Sequence, residues 1–449
     1  MCSLHVLVPK STTIRDPIHG MIALAPAEWA AVDTQVFQRL RGVRQLAMTH
    51  LVYPGALHTR FEHSIGVCHV AGLLARRLEL SPEEAQVVRA AALLHDVGHG
   101  PFSHVSEQVI DDLAGIHGVH EAISAFLIRN DPGIRAALGD DLAWAAASIV
   151  ALEGPRTVSR DIVSGPTDAD KLDYLLRDSY FAGVKYGEYD LERVIDSARV
   201  ITPRSAQTQL GFDTDGLWAV EGLLMARHHM HRQVYGHKTR LATDIMITRA
   251  LRLAIDDDVV DAEAYRVPVT DGRPDVTAEF VERYLAQADA RVLEQLCCAE
   301  ASSPTGDLGR RLRDRRLLRQ TASVRLDQHR EELGDPRVGD LLDAEVTTPE
   351  TLAGMEAEIA DRLDLAPHLV ALHIDARTNP TYRNPGAVRS KDVMIQRDNA
   401  QARLLQSESE VFRSELGENH AWIHLYTPRL ENDHDERAKE ELWRQLNAA

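Results

Sequence analysis

Apolar side chains recur at three- and four-residue intervals over most of the chain, which predicts a mainly helical protein. Over residues 62–80, His63, Val67, Val70 and Leu74 fall on one helix face. Ser81-Pro82-Glu83-Glu84 has the form of a helix start, with proline at the first helical position and acids in the first turn. The helix that follows is predicted over 85–97, with Val88, Ala92 and His95 on one face and a stop at Gly98. Another is predicted over 168–181, ended by Gly183, and a long helical stretch over 217–253. Strand-like segments are few: 22–24, 200–202, 370–374 and 422–426. The stretch 256–276, rich in Asp, Pro and Gly, marks a boundary, and the chain loosens again at 301–309. The expected organisation is a helical catalytic domain over 1–275 and a smaller mixed α/β region over 276–449, regulatory or oligomerising. Residues 431–447 read as a charged, solvated helix.

Composition narrows the class. The chain has 449 residues, 44% hydrophobic and 26% charged, as in a soluble globular protein with a real core. No apolar run approaches the roughly 18–20 residues of a membrane helix, and the opening Met1-Cys2-Ser3-Leu4-His5 has no signal-peptide pattern. Cys2, Cys68, Cys297 and Cys298 lack metal-site or disulfide-framework spacing. The expectation is a cytoplasmic protein without membrane contact. A net charge of −18 gives no global attraction for nucleic acid, so a phosphate-bearing substrate would need a local basic cluster or a metal. Of 21 histidines, nine lie between His50 and His120 and four between His228 and His237, which suggests one site drawn from separate stretches.

The chemistry centres on Leu93-Leu94-His95-Asp96-Val97-Gly98-His99-Gly100-Pro101-Phe102-Ser103-His104. A His-Asp pair at the end of an apolar helix offers one nitrogen and one oxygen ligand. Gly98, Gly100 and Pro101 break the helix, so that His99 and His104 can turn back toward the same point. A second pair, His434-Asp435, has no apolar helix before it and no neighbouring histidines, and it reads as surface. His63, one turn after Arg60, and Asp170, in the acidic helix start Asp168-Ala169-Asp170, complete a set of two nitrogens and two oxygens. Such a set, His63, His95, Asp96 and Asp170, suits Mn, Fe, Zn or Mg with positions left for water and substrate.

These motifs, with Asp16-Pro17-Ile18-His19-Gly20, Phe37-Gln38-Arg39-Leu40, Phe61-Glu62-His63-Ser64, Asp170-Lys171-Leu172-Asp173-Tyr174 and His231-Arg232-Gln233-Val234-Tyr235-Gly236-His237-Lys238, resemble the HD-domain phosphohydrolases. Within them the match is to the deoxynucleoside triphosphate triphosphohydrolases typified by the sterile-alpha-motif/HD-domain enzyme, here without a sterile-alpha-motif region. The resemblance implies an HD-domain helical core and a divalent metal. It also implies cleavage of a dNTP to deoxynucleoside and inorganic triphosphate. Arg60 would hold the α-phosphate, and Lys171, Arg227 and Lys238 the β- and γ-phosphates. His104 would be the general acid at the leaving 5′-oxygen, with His99, His120 and Glu121 handling protons beside the metal. Tyr174 and Asp178 would contact the sugar, and Tyr235 the sugar or base. Tyr174 and Tyr235 read equally well as helix packing.

The family's activating nucleotide, GTP or dGTP, would meet Asp33, Gln38 and Arg41 at a subunit interface of a dimer or tetramer. Arg15 stands where the family has an asparagine, which bears on whether activation operates here. The basic run Arg310-Arg311-Leu312-Arg313-Asp314-Arg315-Arg316-Leu317-Leu318-Arg319 reads as a solvated face, as a triphosphate site, or as a track for single-stranded nucleic acid. It has no interleaved aromatics, which favours nucleotide phosphate over nucleic acid. Two rival readings stand beside the triphosphohydrolase. One is an HD enzyme acting on another nucleotide or on single-stranded nucleic acid. The other is a nucleotide sensor without turnover, against which the proton-transfer groups argue.

Overall fold

Local capping chemistry sets the helices that carry the site. Thr59 caps the helix Arg60–Arg77 in a reciprocal box with Glu62, and Ser81 caps Pro82–Leu94 in the same way with Glu84. His63, Val67, Val70 and Leu74 are all buried, as their spacing predicts. Asp168 caps Ala169–Ala182, which ends at Gly183 in the left-handed conformation that glycine adopts without strain. These observations come from a computed structural model that describes residues 12–202, 207–325, 349–377, 392–397, 401–414, 420–429 and 434–448. Cys2 lies outside the described residues. No helix among them is long and apolar enough to cross a membrane.

The protein is mainly α, with small sheets. Its contacts divide it into two compact units that interleave along the chain. The first comprises Met1–His231, Asp261–Val292 and Val388–Glu408; the second comprises Arg232–Val260, Leu293–Ala387 and Ser409–Ala449.

The first unit opens with an antiparallel hairpin, Thr12–Asp16 against Gly20–Leu24. Its helical core packs Arg60–Arg77 against Pro82–Leu94 and Ala169–Ala182. A four-stranded sheet runs in the order Arg403–Leu404, Met394–Gln396, Gln209–Asp213, Ala198–Ile201, with only the middle pair parallel. In the second unit, strand His420–Thr427 lies between Arg319–Arg325 and Ala371–Arg377, antiparallel to both. All four strand-like segments expected from the sequence fall in or against these strands.

Three expectations change. The helix predicted over 85–97 ends at Leu94, because the chain tightens into turns in which Val97 N–H donates to Leu94 O and His99 N–H to Asp96 O. His95 keeps helical dihedrals as the C-cap, and Asp96 falls in the turn that follows. The stretch 217–253 is not one helix: Leu217–Met230 passes into a π-turn, His231–Tyr235, and a new helix starts at Lys238, capped by His237. The last helix, His434–Ala448, is not simply solvated. Ala438, Leu442 and Leu446 recur on one face and join Met355, Ile359, Val324, Ile423 and Leu425 in the second unit's core.

Candidate active site

His63 comes from the buried face of Arg60–Arg77, and His95 caps the C-terminus of Pro82–Leu94 with Asp96 just beyond it. Asp170 sits in the first turn of Ala169–Ala182. The structure brings all four together. His63 Nε2 lies 3.0 Å from Asp170 Oδ1 and 3.6 Å from Asp96 Oδ2. His95 Nε2 lies 3.3 Å from Asp96 Oδ1 and 3.8 Å from Asp170 Oδ1.

The other nitrogen of each ring decides what these contacts mean. His63 Nδ1 is 2.8 Å from Asp173 Oδ2. Asp173 is fully buried, and it also takes His19 Nε2 at 2.7 Å and two nitrogens of Arg177 at 2.8 and 2.9 Å. Burial opposes the Asp173 charge, but Arg177, His19 and His63 hold its carboxyl well below the usual range. An anionic Asp173 can only accept, so His63 Nδ1 carries the hydrogen and Nε2 presents a lone pair. His95 Nδ1 donates to Ala92 O at 2.8 Å, which leaves its Nε2 in the same state. Both Nε2 atoms are buried and make no hydrogen bond among the described residues. Two lone pairs thus converge on two carboxylates, an arrangement that calls for a cation at their centre. Without one, His63 holds a proton there: burial opposes its charge, yet Asp170 and Asp173 raise it to about 10. The donor set fits a divalent metal.

Beside this centre lies a second cluster, His99, His104, Glu107 and His120, whose ligating atoms lie within 4.8 Å of one another. His99 stacks on His120 with ring centroids 4.1 Å apart, and His104 meets His99 edge-on at 4.9 Å. Glu107 accepts from His104 Nδ1 at 2.9 Å and, in a short bond, from His120 Nδ1. His99 Nε2, 3.2 Å from Asp96 Oδ1, joins the two clusters. Burial disfavours a charge on His120, but Glu107, Glu121 and Asp96 raise it to about 9. Burial, Arg60 and His120 together hold His99 well below its ordinary value, so it is neutral.

Glu121, expected beside His120, is there at 3.2 Å, but its side chain is 42% exposed and Glu107 is the closer partner. Glu107 is absent from the sequence reading. Its signal was the His104-x-x-Glu107 spacing in the first turn of the helix His104–Ala114, which sets both side chains on one face.

Arg60 is buried, its Nη1 on Asp96 Oδ2 and its Nε 2.9 Å from Ser103 Oγ. Lys171 Nζ donates to Asp168 Oδ2 at 2.6 Å and to Gly165 O at 3.2 Å. Asp178 is buried and bonded to His58 Nε2 at 2.8 Å, with the His58 ring stacked on Phe181. Burial raises the Tyr174 phenol, against which the Arg227 charge acts, so these two expected residues share one neighbourhood. Tyr235, in the π-turn, and Lys238 belong to the second unit.

At the expected activator segment, Asp33 and Arg15 are exposed. Gln38 donates to Val32 O and accepts from Arg41 Nε at 2.8 Å, and the Arg41 guanidinium lies 3.5 Å over the Phe61 ring. In the basic run, Arg310 bonds the carbonyls of Cys297, Ala299 and Ala301, while Arg311 pairs with Asp307, Arg313 with Asp314 and Arg319 with Asp435. Much of the run therefore closes helix ends and local ion pairs. The Arg319 pair also places the second His-Asp dipeptide at the start of the last helix, with Asp435 half exposed.

Comparison with known proteins agrees with this geometry. The HD domain model matches residues 60–175, and the HD associated region matches residues 190–434, more than half of the chain. An uncharacterized protein of Methanocaldococcus jannaschii is 38% identical over 249 residues, 55% of this chain and 51% of that protein. A homolog of deoxynucleoside triphosphate triphosphohydrolase SAMHD1 in Dictyostelium discoideum is 34% identical over 277 residues, 57% of this chain and 53% of that one. Deoxynucleoside triphosphate triphosphohydrolase SAMHD1 of Homo sapiens is 32% identical over 293 residues, 57% of this chain and 46% of its own length. The chain spans about half the length of the curated relatives it matches. Among solved structures, a phosphohydrolase of Bacteroides thetaiotaomicron shares the fold with a TM-score of 0.72 at 23% identity, covering 94% of this chain and all of that one. A hypothetical protein of Aquifex aeolicus does so with a TM-score of 0.70 at 24% identity, covering 96% of this chain and all of that one. With the HD motif assembled and both family regions matched in order, the chain belongs to the HD-domain phosphohydrolase family.

Proposed function

We propose that this protein is a metal-dependent dNTP triphosphohydrolase. The observation that carries the reading is the pairing of two centres through Asp96: one arranged for a cation, the other for proton transfer. A divalent cation held by His63, His95, Asp96 and Asp170 supplies Lewis acidity toward a phosphoryl oxygen and makes water a better nucleophile. The protein's own groups account for the rest. Arg60 turns from Asp96 to the α-phosphate, a planar fork suited to phosphate oxygens. Lys171 and Arg227 neutralise the β- and γ-phosphates. Water bonds to the α-phosphorus, the bond to the 5′-oxygen breaks, and that oxygen takes its proton from His104. Glu107 orients His104 through its Nδ1 and steadies the charged form of His120, while neutral His99 passes the proton released by water. Asp178 accepts from the sugar 3′-hydroxyl, and Tyr174 crowds a 2′-hydroxyl.

The relatives named as triphosphohydrolases support the choice of substrate class. The test is product analysis with each dNTP and Mn or Mg. Deoxynucleoside and tripolyphosphate in one step are expected, and dNDP with orthophosphate as first products would refute the reading.

We extend the proposal to a homo-oligomer activated by GTP or dGTP at Asp33, Gln38 and Arg41. Light scattering tests it: a rise in mass on adding the nucleotide is expected, and its loss in Asp33→Ala. An unchanged mass with full activity on a non-guanine dNTP alone would remove the activator from the picture.

A further inference from the structure

The turn that delivers His104 is strained, and a residue far away in the chain holds it. Phe102 and Ser103 have φ of +59° and +55°, two successive non-glycine residues in the left-handed region. Side chains disfavour this conformation, so the surroundings must impose it. Asp289, which opens the helix Asp289–Cys298, does so with both carboxylate oxygens. Oδ1 accepts from Phe102 N–H at 2.7 Å and Oδ2 from Arg44 N–H at 3.1 Å. The tied strands are linked a second time, because Ser103 Oγ donates to Arg44 O at 2.8 Å while accepting from Arg60 Nε. The other end of the same loop is held by Arg39, whose Nη2 donates to Val97 O and His99 O. Its charge is opposed by burial and supported by Tyr284 and Asp289. Tyr284 also closes the floor: a Cβ at Gly100 would stand 2.4 Å from its hydroxyl. Asp289 lies outside the matched HD domain and inside the HD associated region.

We propose that Asp289 is a positioning residue of the active site, a clamp that holds the Phe102–Ser103 turn so that His104 and Arg60 keep their places. The clamp requires a carboxylate. An amide keeps the shape, but it accepts with only one atom and sets its NH2 against a backbone N–H. The catalytic part of this proposal rests on the triphosphohydrolase reading; the mechanical part does not.

The test is Asp289→Asn, compared with wild type for metal content, hydrogen exchange over residues 98–106, and dNTP turnover. Metal content should stay at the wild-type level, since His63, His95, Asp96 and Asp170 are untouched. Exchange in the loop should speed up. The value of kcat should fall by at least about tenfold with KM changed less than about threefold, as for misplaced catalytic groups with intact ground-state binding. A general loss of packing would instead speed exchange throughout the protein and lower metal content. Wild-type exchange and a kcat within about twofold would overturn the proposal. If Asp289→Asn does not fold, the wild-type Phe102 amide decides: slow exchange supports the clamp and rapid exchange refutes it. If the wild type hydrolyses no dNTP, the function reading fails, while metal content and loop exchange still test the clamp.

Discussion

Replacing Asp173 by asparagine should separate metal binding from folding in a measurable way. In the native protein this carboxylate is buried and takes four contacts of 2.7–2.9 Å, from His19, His63 and two nitrogens of Arg177. An amide of the same shape can accept with only one atom and carries no charge. Arg177 then keeps only Asp16, at 2.9 Å, as a charged partner. Breaking a buried ion pair costs about 3–5 kcal/mol, and the remaining Asp16 contact places this case near 3. A loss of about 3 kcal/mol lowers Tm by roughly 3 °C in a protein of 449 residues, since the unfolding entropy grows with length. Separately, His63 Nδ1 loses the anionic acceptor that keeps its Nε2 lone pair on the metal side and is left at best a neutral amide oxygen, and changing such an outer partner weakens metal affinity by about 10–100-fold. The assay is thermal unfolding of the metal-free protein, beside Mn affinity by competition with a chelator. Adding Arg177→Met to Asp173→Asn should recover much of the Tm, because it removes the stranded charge, and should leave affinity weak. Wild-type Mn affinity in Asp173→Asn would refute the role given to His63 Nδ1.

Further expectations follow from the same geometry. Asp96→Ala and His63→Ala should each abolish turnover and lower bound metal, measured by elemental analysis, while His434→Ala should do neither. Glu107→Gln should keep its metal but lower kcat by about 10²–10⁴-fold, the range for a lost acid–base partner. The same pair makes a pH prediction. His120 is raised from 6.5 to about 9, so its contribution is complete below 6.5 and is lost as pH rises through 9. Glu107 is depressed from 4.5, so its contribution is complete above 4.5 and is lost in acid. The Tm gap between wild type and Glu107→Gln should therefore be widest between pH 4.5 and 6.5 and shrink above 9; a gap that widens there would contradict the ion pair. Gly98→Ala should destabilise by about 1–3 kcal/mol in denaturant unfolding, because its Cβ would stand 2.5 Å from His120 O and Ser124 N.

Capping and periodicity made the scaffold legible: the acid and proline after Ser81, the buried face of His63, and the carboxylates at the head of Ala169–Ala182 act within a turn or two of chain. The last helix misled because its apolar positions are only a few among many charges, although Ala438, Leu442 and Leu446 do keep helical spacing. The partners of the basic run were legible only in part: Asp307 and Asp314 lie within four residues of Arg311 and Arg313, whereas Asp435 lies 116 residues from Arg319.

The candidate metal set was readable because a His-Asp pair at a broken helix end is a local pattern, and two further ligands were needed to complete it. The partners that give those ligands their chemistry were not. Asp173 sits 110 residues from His63, Glu107 thirteen from His120, and Asp289 some 187 from the turn it holds. Tautomer, charge and strain belong to pairs of groups, and a pair exists only once the chain has folded. Residue types and short-range spacing are written in the order of the chain, whereas which nitrogen bears a proton, and which carboxylate holds it there, follows from burial that brings distant segments within 3 Å.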